Sequence, residues 1–146
     1  YNELSEGREE AGIQYRSDLE EKPFPQLLKD SLSNDIRMQR TLKGIHRDDL
    51  MFNLNGKLIR QFGSQGQRKS YLLALKLGQF NYIKNVMGRM PILMLDDIFE
   101  KLDSKRLKAL WTLLEQENYG QVILTDTEAN RFKDVFSDAI SKRILL

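Results

Sequence analysis

The run Pro91-Ile92-Leu93-Met94-Leu95-Asp96-Asp97 carries four apolar residues straight into two adjacent carboxylates. An unbroken apolar run of this length suits a strand buried on both faces, as in a parallel sheet. Two acids at the end of such a strand emerge at its carboxyl edge, where open α/β sheets bind their ligands. Asp96 is placed to hold Mg²⁺, directly or through water, because that hard cation takes oxygen ligands beside substrate phosphates. Asp97 is placed to orient or deprotonate a water aimed at a phosphoryl group. This is the pattern of a Walker B strand. Taken alone, the run reads equally as a buried strand that ends in an acidic turn.

About thirty residues upstream, Phe62-Gly63-Ser64-Gln65-Gly66-Gln67-Arg68 forms a short polar loop opening into a long apolar-periodic helix. Exposed N–H groups at a helix N-terminus bind anions, and glycine lets a phosphate approach the backbone. Downstream of the two acids comes Glu100-Lys101-Leu102-Asp103. Loop, helix, apolar strand, Asp-Asp and this last segment resemble the second half of an ABC-type ATPase: signature loop, Walker B strand and D-loop. Together with Gly44-Ile45-His46-Arg47-Asp48-Asp49-Leu50, the order is similar to that of the RecF family of bacterial DNA-repair ATPases, over residues 12–146.

The resemblance implies an α/β fold, the C-terminal portion of an ABC-type ATPase head. Its mainly parallel sheet would be flanked by helices and joined by a β-hairpin. It implies ATP hydrolysis between two subunits, with ATP and Mg²⁺ as cofactors. Asp96 then holds Mg²⁺, and Asp97 stands where many relatives carry Glu. One methylene less means poorer water positioning and slow turnover. The Ser64-Gln65-Gly66-Gln67 loop faces the partner's γ-phosphate, and Asp103 reaches across the dimer. Thr125-Asp126-Thr127 occupies the place of a switch histidine. The role of Asp126 there is open, and Thr125 or Thr127 offers a hydroxyl instead. RecF relatives use ATP-driven homodimerisation to clamp single-stranded and duplex DNA at gaps. They work with RecR and RecO to load RecA, in the cytoplasm, during recombinational repair and the SOS response.

Composition sets the outer bounds. The 146 residues suffice for one domain with a real core. Hydrophobic residues make up 40%, an ordinary globular share, and no apolar run approaches the ~20 residues of a membrane span. Without cysteine there is no disulfide or thiolate chemistry, which suits a reducing cytoplasm. The start at Tyr1 without Met or a signal pattern reads as part of a longer protein. The net charge of +2 hides an asymmetry: residues 37–89 hold eleven Lys/Arg against two Asp/Glu. Such a middle third suits a phosphate-binding surface or a solvated face. Arg37, Arg40, Lys43, Lys57 and Arg60 are its candidate DNA contacts. Arg37, Arg40 and Lys43 also sit where cations complement a helix C-terminus.

In chain order, residues 1–11 read as a polar tail or the stub of a missing segment. Gly7 and Gly12 have the spacing that opens a P-loop, but Ile13 and Gln14 follow where Lys and Ser/Thr are required. A Walker A motif is absent, so residues 1–146 alone should not bind or hydrolyse ATP. Residues 12–17 alternate as a short strand, and an amphipathic helix follows from Pro23 to about residue 40. His46, the single histidine, reads as a hydrogen-bonded structural residue, since no second His or Cys completes a transition-metal shell. Asn55-Gly56 predicts a β-hairpin of 51–54 with 57–62. A helix over 68–87 should present Leu72, Leu73, Leu75, Leu77, Phe80, Ile83 and Val86 to the sheet, ending at Gly88. A second helix to about Glu117, a buried strand over 122–125, a helix near 129–136 and a strand near 140–146 complete a β-α-β-α-β run.

Two other readings stand beside this one. The nucleotide-binding half of another ABC ATPase, SMC-like or transporter, shares these motifs; a transporter would normally carry the switch histidine. A non-catalytic interaction module would make Asp96-Asp97 a plain acidic turn.

Overall fold

The computed structural model describes residues 1–97, 102–117 and 119–125. The apolar run yields β4 (Leu93–Leu95), which pairs in parallel with β5 (Val122–Leu124), Leu95 opposite Leu124. The crossover between them is α4 (Ser104–Gln116), opened by an Asp103 cap that accepts the Arg106 N–H. Behind the pair lies α3 (Gln65–Met87), ended as expected by Gly88 in the left-handed conformation. Leu73, Leu77 and Phe80 of α3, Leu93 and Leu95 of β4, and Leu107, Leu110 and Leu113 of α4 form one core. Both helices therefore pack on the same side of the strands. Met94, between the two buried leucines, is 67% exposed. The expectation of a strand buried on both faces thus gives way to period-two burial, because the described residues supply no cover for the second face.

The second sheet is antiparallel, in the order β1 (Ala11–Arg16), β2 (Asp49–Leu54), β3 (Lys57–Leu58). Asn55 and Gly56 both take positive φ, 50° and 73°, as the hairpin signal requires. The returning strand is shorter than expected. After Leu58 the chain turns helical as α2 (Ile59–Phe62), burying Ile59 with Leu54 and Tyr71 in a second cluster. Gly12 lies within β1 and not at a helix start, so no P-loop geometry forms there.

The amphipathic helix is α1 (Phe24–Met38), entered through Pro23 and closed by Gln39 in the left-handed conformation. Leu27 is buried, while Leu32 and Ile36 are exposed. On α3 the apolar face is narrower than its sequence suggests, with Leu72 and Val86 exposed. The expected elements near 129–136 and 140–146 lie outside the described residues.

Of residues 1–11, expected as a polar tail or stub, residues 1–10 form a series of turns held to the core and Ala11 opens β1. Leu4 is 2% exposed and belongs to the main core cluster. The Tyr1 ring lies 5.4 Å from that of Tyr71, and its hydroxyl donates to Glu9 at 2.6 Å. Glu9 in turn pairs with Arg106 at 3.0 Å, both side chains being nearly buried. Burial pushes the Glu9 pKa up, but hydrogen bonds from Tyr1 and Gln67 and the Arg106 charge outweigh it, so the carboxyl is held below its ordinary value. A carboxylate whose folded pKa is depressed adds stability above its unfolded pKa and loses it as pH falls through the folded one. Glu9→Gln should therefore cost about 1.5–3 kcal/mol at pH 7, the usual worth of charged hydrogen bonds. The gap to wild type should begin to narrow near the unperturbed Glu value, about pH 4, and close only as pH falls through the lower folded pKa. Urea unfolding at neutral pH and below the folded pKa measures this; an equal gap at both would contradict it.

Candidate nucleotide-facing site

The parallel register brings the ends of β4 and β5 together. Thr125 N–H donates to Leu95 O at 3.0 Å, and Asp97 N–H donates to Thr125 O at 3.1 Å. Asp96 and Thr125 are thereby neighbours, and the Thr125 hydroxyl donates to Asp96 Oδ1. Thr125, expected as a donor to nucleotide, is here the partner of the exposed Asp96. Asp97 adopts φ +51°, a left-handed conformation that Asp tolerates better than most residues. Among the described residues no group of three or more His, Cys, Asp or Glu could hold a metal. An exposed carboxylate at a strand end still fits Mg²⁺, which keeps several waters and takes substrate phosphates as its remaining ligands. Asp126, Glu100 and Lys101 lie outside the described residues.

The polar loop is itself the first turn of α3. Ser64 is its N-cap, accepting the Gln67 N–H at 3.1 Å while Gln67 Oε1 accepts the Ser64 N–H at 2.8 Å. This is a capping box, and the Ser-x-x-Gln spacing ahead of an apolar run is the signal that reveals it. The helix consequently starts three residues before the expected Arg68. The other end of the Gln67 amide donates to Glu9 at 2.6 Å, so this side chain is engaged within the chain. The N–H groups of Gln65 and Gly66, at the first two helical positions, have no intrahelical acceptor. They stand at the positive end of a 23-residue helix. A Cβ added at Gly66 would meet nothing within 4 Å, whereas one at Gly63 would lie 2.6 Å from the Ile59 carbonyl oxygen. Gly63 is therefore needed by the fold, and Gly66 is not.

Asp103, expected to reach across a dimer, caps α4 with its Oδ1 on the Arg106 N–H at 2.9 Å. Its side chain remains 65% exposed.

The candidate DNA contacts fall into two groups. At the end of α1, Arg37 donates to Asn34 at 2.9 Å, Arg40 is exposed, and Lys43 pairs with Asp18 at 3.0 Å. On the hairpin side, Lys57 lies 5.9 Å from the Phe62 ring centroid, and Arg60 is exposed. Arg16 and Arg47, which are not among the expected DNA contacts, join Lys43 and Asp18 around a shallow cavity of about 270 Å³. Only the register of β1 against β2 brings Arg16 there. His46 Nε2 donates to Thr41 O at 3.1 Å, the structural role expected of it.

Comparison with protein-family models returns no match. The "DNA replication and repair protein RecF" of Cytophaga hutchinsonii is 41% identical over 131 residues, covering 90% of this chain and 35% of the relative. That of Flavobacterium johnsoniae is 41% identical over 128 residues, covering 88% and 36%. Two solved structures of the recombination mediator protein RecF in the RecFOR pathway, one described as RecF-ATP, are each 28% identical. They match 88% of this chain and 38% of theirs with a TM-score of 0.62. The chain spans about a third of the length of the curated relatives it matches. Its fold is that of the corresponding part of RecF, an ABC-type ATPase. In sequence and fold the chain is thus similar to one part of RecF proteins.

Proposed function

We propose that this chain supplies one half of an ATP site formed between two copies of a DNA-repair ATPase. The observation that carries the reading is the capped start of α3, with two N–H groups that have no intrahelical acceptor and an open Gly66. The RecF-ATP description of a structural relative supports it. In this reading Ser64, Gln65 and Gly66 meet the γ-phosphate bound to the partner copy, through the Ser64 O–H and backbone N–H groups. Gln67 holds that turn in shape. Asp96 holds Mg²⁺ with Thr125 fixing its carboxylate; bound there, Mg²⁺ would neutralise and orient the phosphates. Asp97 orients the attacking water and takes its proton, and Asp103 lies near the dimer seam. ATP then drives homodimerisation around single-stranded or duplex DNA at gaps, supporting RecA loading with RecR and RecO in the cytoplasm. Arg37, Arg40, Lys43, Lys57 and Arg60 are the proposed phosphate contacts.

In the full-length protein, Asp97→Asn should bind ATP and dimerise while hydrolysis falls roughly 10²–10⁴-fold, the usual worth of a general base. Asp96→Asn should instead weaken the Mg²⁺ dependence of binding. Ser64→Arg should leave ATP binding by each monomer intact and abolish ATP-driven dimerisation, followed by light scattering. Wild-type hydrolysis in Asp97→Asn, or dimerisation of Ser64→Arg on ATP, would remove these residues from the site.

The two glycines separate fold from site. Gly63→Ala should lower stability by about 1–3 kcal/mol, the cost of overpacking against backbone. Gly66→Ala should be neutral or up to about 1 kcal/mol more stable, from helix propensity. It should nevertheless weaken ATP-driven dimerisation, because its methyl occupies the approach to the turn. Thermal unfolding and light scattering on the same samples test the pair; unimpaired dimerisation of Gly66→Ala would count against phosphate contact.

A further inference from the structure

The nearly buried Arg106 ties the phosphate-facing turn of α3 to the start of α4, and no role in the proposed site accounts for it. Its Nη1 donates to Gly66 O at 3.1 Å and to Ser70 Oγ at 2.6 Å. Its Nη2 donates to both Glu9 oxygens, at 3.0 and 3.2 Å. Ser70, 1% exposed, itself donates to Gly66 O at 2.9 Å. Glu9 closes the circuit by accepting from Gln67, whose amide also holds Ser64. Meanwhile the Arg106 backbone is capped by Asp103. One guanidinium thus joins the Gly66 peptide, the Ser64-Gln67 box through Glu9, and the Asp103 cap.

We propose that Arg106 is a positioning residue that makes the Ser64–Gly66 turn and the Asp103 cap a single rigid surface for the partner copy. The inference rests on the trans-site reading above. Its action is geometric because Glu9 cancels the Arg106 charge, leaving little net field at the turn. A guanidinium is needed because its planar fork reaches several fixed acceptors at once, which a lysine ammonium on a flexible stem does not. The Gly66 carbonyl belongs to the peptide whose N–H is held by Ser64. Fixing that carbonyl from behind therefore fixes the plane of the turn that meets phosphate.

The test uses the full-length protein. Arg106→Lys keeps the charge and should weaken ATP-driven dimerisation roughly tenfold or more, since ångström-scale misplacement of a contact can cost about 10²-fold. ATP affinity of the monomer should stay unchanged. A general loss of folding would lower both, so mixing provides the separating readout. Paired with Asp97→Asn, the Arg106→Lys subunit still offers its own Asp97 against the partner's intact turn, and ATPase activity should return to about half of wild type per dimer. Failure of mixing to restore activity would overturn the proposal, as would wild-type dimerisation of Arg106→Lys while Ser64→Arg abolishes it. If Ser64→Arg also dimerises normally, the trans-site reading itself has failed. Should Arg106→Lys not fold, Ser70→Ala decides: weaker dimerisation at unchanged monomer ATP affinity supports the proposal, and wild-type dimerisation refutes it.

Discussion

The pair between Glu9 and Arg106 is the constraint on which the described architecture turns. It spans 97 positions of sequence and joins three segments that share no strand pairing: the N-terminal turns, the start of α3 and the start of α4. Nearly buried ions are tolerated when every donor and lone pair finds a partner, and this circuit comes close. Tyr1, Gln67 and Arg106 share the two Glu9 oxygens, while Gly66 and Ser70 take the opposite edge of the guanidinium. Removing one member would strand the others. The hydrophobic core beneath, with Leu4 beside Leu77 and Leu110, holds the same three segments by non-directional burial. The polar circuit adds the angular precision that apolar packing lacks.

This division explains which features were legible in the sequence. Elements specified by local periodicity and turn chemistry stand where their residues put them: β4, α4 and β5, the Asn55-Gly56 turn, and the Gly88 stop. The misses are long-range. Nothing local distinguishes Leu4 from a lone apolar residue in an acidic tail; it is buried because α3 and α4 leave room for it. The returning hairpin strand stops at Leu58 because Ile59 gains more by turning toward Tyr71 and Leu54 than by continuing the ladder. Periodicity also marks faces that could be buried without saying whether anything covers them, as Met94, Leu32 and Ile36 show.

The candidate site divides in the same way. Ser64, Gly66, Asp96 and Asp97 were legible as residue types in order, since glycine, hydroxyl and carboxylate each carry a distinct chemistry. Their supports were not. Thr125 reaches Asp96 only through strand register, and Arg106 reaches Gly66 only through the packing of two helices. Gln67 shows the limit from the other direction. Its amide suits a phosphate contact by type, yet both its ends are engaged inside the chain.

The two adjacent acids owe their separation to backbone and not to side-chain chemistry. On a regular strand, neighbouring residues point to opposite faces, so Asp96 and Asp97 would diverge and could not serve one reacting centre. The left-handed φ at Asp97 takes it out of that alternation two residues past the last paired position, Leu95. The cost of this conformation is offset locally, because the Asp97 N–H still finds the Thr125 carbonyl. Thr125 therefore acts twice. Its carbonyl sets the backbone of one acid, and its hydroxyl orients the carboxylate of the other. Two residues of the same type, one position apart, thereby acquire different environments. One is an exposed carboxylate held by a neutral donor, suited to a hydrated cation. The other is half-buried on a turned backbone, suited to a water.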